Sequence, residues 1–155
     1  MRIVVDTNIV FSAILNTQSK IGQLILNGSK HFDYYTVAQL KQEITEHQKK
    51  IIKITGYNET QFLEIYQLIV SKIRFVDDIL ISDKDIEKAF QLVSDIDEED
   101  SLFVALSNHL HSSLWTGDKR LLNGLKKKGY SKVLSTDDLY KIYIEKEIRS
   151  IAKRK

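Results

Sequence analysis

Short apolar runs of strand length, at residues 2–5, 32–35, 73–76, 113–116 and 132–134, alternate with longer stretches whose apolar residues recur at helical spacing. That alternation limits the fold more than any other feature of the chain. It predicts an α/β fold, a three-layer α/β/α sandwich with a largely parallel central sheet of four to five strands. Ligands of such folds gather at the carboxyl ends of the strands. The intervening segments predict helices at 7–15, 19–27 and 37–54. Others follow Asn58, start at Ser82 and near Glu98, and occupy 118–128 and 139–151. Gly28 and Gly56 act as stops, while Asn58 and the Ser135-Thr136-Asp137-Asp138 stretch act as caps.

Composition excludes more than it selects. At 155 residues, 43% hydrophobic and 28% charged, the chain suits one globular domain with a sizeable core. It has no cysteine, which removes disulfides, thiolate metal sites and cysteine nucleophiles. No apolar run approaches the roughly 20 residues that span a bilayer. The first apolar run is broken by Asp6, unlike a secretory signal, so a cytoplasmic location without membrane contact is expected. A net charge of +2 does not by itself call for nucleic acid. The basic residues are clustered, however, at Lys49, Lys50 and Lys53, at Lys126, Lys127 and Lys128, and at Arg149, Lys153, Arg154 and Lys155. Such runs are solvated faces or phosphate-backbone contacts.

The acids carry more information. Asp6 follows Ile3-Val4-Val5, and Asp118 follows Leu114-Trp115-Thr116-Gly117, so each sits at the end of an expected strand. Either one alone reads as a helix N-cap. Asp95-Ile96-Asp97-Glu98-Glu99-Asp100 places five acids in six residues. A helix start accounts for some of them through the helix dipole. It does not require Asp100, which on a helix would share a face with Asp97 and lie beside the buried stripe that begins at Leu102. Glu43 lies on a helix between the core candidates Leu40 and Ile44, with Glu46 three residues on as a substitute. Carboxylates converging from separate elements suit hard cations such as Mg²⁺ or Mn²⁺. A pair of such ions supports in-line phosphoryl displacement.

In this order the motifs resemble the PIN-domain nuclease family. The strand leading into Asp6-Thr7-Asn8 with Ser12 behind it, Glu43 in VAQLKQEITE, DIDEEDSLFVALS ending its acid run at Asp100, and WTGDKRLL with Asp118 all match. STDDLY resembles the family's short capped helix near the end, so the likeness runs over residues 2–140. The resemblance implies a PIN-like domain over residues 1–140, with 141–155 as a helical extension and basic tail of the same domain. It implies a Mg²⁺- or Mn²⁺-dependent endoribonuclease, in which Asp6, Glu43, Asp100 and Asp118 hold metal. Thr7, Asn8 and Thr116 would orient those carboxylates, and Asp97 would be an auxiliary acid. Lys119 and Arg120 would touch the nucleic-acid backbone. Many bacterial relatives are toxins of toxin–antitoxin pairs, which implies RNA as substrate, a small antitoxin as partner and a homodimer.

Other readings fit less well. A phosphatase of the haloacid-dehalogenase type needs a second aspartate two residues after Asp6, and Asn8 stands there. A receiver domain needs paired acids before its first helix. A non-catalytic RNA-binding or adaptor module of the same fold is the remaining alternative. The four histidines are scattered and read as surface or structural residues. Ser12 has no partnered base and is no nucleophile.

Overall fold

The computed structural model describes residues 1–153; Arg154 and Lys155 of the expected basic tail lie outside the described residues. Five strands, β1 (Arg2–Val5), β2 (Asp33–Val37), β3 (Ile73–Val76), β4 (Ser113–Trp115) and β5 (Val133–Leu134), form one sheet in the order β3-β2-β1-β4-β5. Every pairing is parallel. The helices between them are α1 (Thr7–Leu15), α2 (Lys20–Gly28), α3 (Leu40–Glu46), α4 (Gln48–Thr55), α5 (Glu59–Val70), α6 (Asp83–Val93), α7 (Ser101–His109), α8 (Lys119–Lys127) and α9 (Thr136–Lys153). The fold is a three-layer α/β/α sandwich.

The sheet is the core. Ile3, Val4, Val5, Leu114 and Trp115 are fully buried, as expected for parallel strands covered on both faces. Tyr34 packs its ring 6.0 Å from Trp115 and donates its hydroxyl to the Leu24 carbonyl at 2.6 Å, so its one polar atom is paired inside the core. Helix starts are set locally. The side chains of Ser19, Asn58 and Ser82 each accept a backbone N–H from the first turn they precede. Ser135 and Asp138 bond reciprocally at 3.0 Å at the start of α9.

Some expected boundaries move. The single helix expected over 37–54 divides. Val37 is 1% exposed and pairs with Val76, so it belongs to β2. His47 then separates α3 from α4, its Nδ1 lying 2.8 Å from the Glu43 carbonyl and its ring edge-on to Phe11. The acid run also departs from regular helix. Glu98–Asp100 is a tight 3-10 turn capped by Asp97, and α7 begins only at Ser101. Asp97 is extended at φ −161°, so Asp97 and Asp100 do not share a helix face as expected.

The strand order locates the ligand crevice. From β1 the chain adds β2 and β3 on one side, then crosses to add β4 and β5 on the other. The carboxyl ends of β1 and β4 therefore flank the reversal point, where open α/β sheets bind their ligands.

Candidate functional site

Val5 is level with Trp115 in the sheet, so the next residues, Asp6 and Thr116, leave it side by side. The Thr116 hydroxyl donates to the Asp6 carboxylate and accepts the Asp118 N–H at 3.0 Å. One buried hydroxyl thus ties together the two acids that follow neighbouring strands. Asp6 is 3% exposed, and its Oδ1 accepts the Ile9 N–H at 3.0 Å as the cap of α1. Burial pushes its carboxyl up to about 6, against the pull of its hydrogen bonds and with a smaller push from Asp118. Asp118 caps α8, its Oδ1 accepting from the N–H groups of Arg120 at 2.9 Å and Leu121 at 3.3 Å. Capping and membership of the site are therefore compatible: at Asp118 the cap engages Oδ1 alone, leaving Oδ2 for another partner.

Asp100 stands at the start of α7 but makes no capping bond with its side chain. Its Oδ2 is buried without a hydrogen-bond partner among the described residues. Burial, followed by the charges of Asp97, Asp6, Asp118 and Glu99, pushes its carboxyl up to about 7. Asp6, Asp100 and Asp118 thus lie close enough to repel one another. A buried, unbonded carboxylate oxygen on an acid that feels the charges of other acids costs free energy unless a cation offsets it.

Glu43 joins the group through Thr7, whose hydroxyl donates to Glu43 Oε2 at 3.4 Å. Glu46 points elsewhere, exposed and bonded to Gln42 on its own helix. The structure therefore places Glu43, and not Glu46, beside the residue that follows Asp6. Thr7 faces Glu43, while Asp6 takes its hydroxyl from Thr116.

The remaining expected residues are more peripheral. The Asn8 side chain is exposed, and this residue meets Asp6 through its backbone N–H. Asp97 is exposed and spends one oxygen on the Glu99 N–H at 3.0 Å. It acts on Asp100 through its charge. Lys119 and Arg120 are exposed at the start of α8. Lys119 borders a cleft of about 170 Å³ that runs from Thr116 and Asp118 to Ser135 and Thr136 at the start of α9.

Among the described residues, no three Asp, Glu or His side chains already converge as a closed metal-binding group. The donor set nevertheless fits a hard divalent cation. It consists of carboxylate oxygens alone, one is buried and unpaired, and the affected acids are destabilised as anions. Asp6, Glu43, Asp100 and Asp118 are the residues that would hold it.

The PIN domain family's sequence model matches residues 4–139. The chain belongs to the PIN domain family. PIN domains are generally nucleases, and those nucleases generally use divalent metals. A solved structure of VapBC2 from Rickettsia felis, bound to a DNA fragment from their promoter, has the same fold. The TM-score is 0.61 at 14% identity, over 87% of this chain and 98% of that chain. No curated protein sequence matches this one. Among the described residues of this PIN domain, no helix is long and apolar enough to cross a membrane.

Two supports of the site were missed in the sequence. Lys128 bonds to Asp95 and to the Leu92 carbonyl, tying the start of the acid run to the end of α8. Ile96 lies against Gly124, where a Cβ would stand 2.5 Å from the Ile96 Cδ1. A glycine inside an otherwise amphipathic helix was the visible signal for such a close approach.

Proposed function

We propose that this PIN domain is a Mg²⁺- or Mn²⁺-dependent endoribonuclease that hydrolyses phosphodiester bonds to leave a 5′-phosphate and a 3′-hydroxyl. The observation that carries the reading is the buried, unpaired carboxylate oxygen of Asp100, an acid that feels the charges of Asp6 and Asp118 beside the strand-order reversal. Family membership supports it. A divalent cation bound there would supply an acidified water and offset charge on the phosphate.

The chain's own groups do the positioning. Asp6, Glu43, Asp100 and Asp118 hold the cation. Thr116 locks Asp6 and Asp118 in a fixed relation, and Thr7 orients Glu43. Asp97 adds negative charge beside Asp100. Lys119 and Arg120, next along α8, meet the backbone of the strand. The likeness to VapBC2 supports a small antitoxin as partner. The same proposal makes the protein a homodimeric toxin working in the cytoplasm.

The test is incubation of the purified protein with total RNA and transfer RNA in Mg²⁺ or Mn²⁺, beside the Asp6→Asn variant. Cleavage by the native protein alone, abolished by chelation, is expected. A folded, metal-supplied protein that leaves a broad RNA panel intact would assign it to the non-catalytic binding modules instead.

A further inference from the structure

Helix α8, capped by Asp118, contains four basic residues and no acid, in the sequence KRLLNGLKK. Leu121 and Leu125 are buried on its inner side. Lys119, Arg120, Asn123, Lys126 and Lys127 are all exposed on the opposite face. At 1.5 Å per residue this face carries positive charge for about 13 Å away from the acids.

It ends at a groove. Two adjoining cavities of about 420 and 380 Å³ lie where α6 and the end of α7 meet the turn after α8. Both are bordered by Lys88, Asn108, Gly129 and Tyr130, and the second also by His111 and Lys132. Two nearby acids pair with lysines: Asp95 holds Lys128, and Asp138 sits 3.7 Å from Lys126. Asp85, which also lines the second cavity, accepts from the Ser82 hydroxyl at 3.0 Å and sits 3.7 Å from His109. Lys88, Lys119, Lys127 and Lys132 form no ion pair among the described residues. Tyr130 is held by a 2.9 Å bond from its hydroxyl to Asn108, which fixes an aromatic ring at the wall of the groove.

We infer that the outer face of α8 and the groove beyond it form a track for the phosphate backbone of single-stranded RNA, leading from the acidic site to Tyr130. The choice of RNA rests on the function proposed above. A single row of cations one helix wide follows one backbone, whereas a duplex presents two. A basic groove with an aromatic platform suits a single strand. Lysine and arginine contacts of this kind act mainly by releasing counterions.

The experiment is fluorescence anisotropy in EDTA with single-stranded RNA of about 4 and about 16 nucleotides, lengths that bracket a short groove. The proteins are native and Lys88→Gln/Lys127→Gln/Lys132→Gln, with circular dichroism melts for folding. The native protein should bind the longer RNA more tightly. The triple variant should lose that advantage, lower the slope of log affinity against log salt by about 2, and bind the short RNA as before. Should the triple variant not fold, Lys127→Gln alone is expected to lower the slope by about 0.7. Equal affinity for both lengths, an unchanged slope, or tighter binding of polyglutamate than of RNA would overturn the track. Cleavage assays separate this result from the nuclease reading. Length-dependent, lysine-dependent binding without cleavage keeps the track and removes the nuclease, while cleavage without length dependence does the reverse.

Discussion

Asp6→Asn should make the metal-free protein more stable while abolishing its activity. The Asp6 carboxyl is raised from 3.8 to about 6 by burial. At about 1.36 kcal/mol for each tenfold change in proton affinity, this is about 3 kcal/mol of native-state penalty once the group is ionised. The folded value lies above the unfolded one. Between about pH 4 and pH 6 the native chain therefore keeps a proton that the unfolded chain has released, and stability falls as pH rises through that window. An asparagine keeps an oxygen for the Ile9 N–H but buries an amide beside Thr116, which takes back about 1 kcal/mol. The net gain of about 2 kcal/mol corresponds to a rise in Tm of roughly 4–8 °C for a chain of this size. The assay is thermal or urea unfolding in EDTA from pH 4 to pH 8. The gap between variant and native protein should be small at pH 4, open by pH 6 and stay level above it. Added Mg²⁺ should stabilise the native protein alone and close the gap by mass action. A variant less stable than native at pH 8 in EDTA, or a gap independent of pH, would refute the argument.

Three further outcomes rest on particular contacts. Thr116→Val removes both the donor to Asp6 and the acceptor for the Asp118 N–H, and should weaken metal affinity by about 10–100-fold in calorimetric titration, with Thr116→Ser restoring it. Glu43→Gln should depress metal-dependent cleavage, whereas Glu46→Gln should leave the rate unchanged, because only Glu43 is held by Thr7. His111 follows α7 with a left-handed backbone at φ 50°, so His111→Gly should raise stability by about 1 kcal/mol in urea titration.

The features legible in the sequence were those settled within a few residues. Strand β1 and its polar ending could be read directly, because an apolar run meeting Asp-Thr-Asn has few structural uses. So could the helix starts at Ser19, Asn58, Ser82 and Ser135, where one side-chain oxygen meets a nearby N–H. What the sequence withheld depends on distant partners. The late start of α3 reflects Val37 pairing with Val76 of β3, and the break at His47 accompanies an imidazole set against a helix carbonyl. The choice between Glu43 and Glu46 depends on Thr7, 36 residues away. The cap and site readings of Asp118 looked like rivals, but they are compatible, because the cap uses Oδ1 alone.

The strand order also has a consequence for biosynthesis. β1 emerges first, yet it is the middle strand, and its second neighbour begins only at Ser113. A growing chain can already display Asp6 and Glu43, but the Thr116 hydroxyl and Asp118 come 110 and 112 residues after Asp6. At roughly 5–20 residues per second the acids stay unassembled for several seconds. Under the nuclease reading proposed above, a chain built in this order gains its full set of acids only once β4 has joined β1.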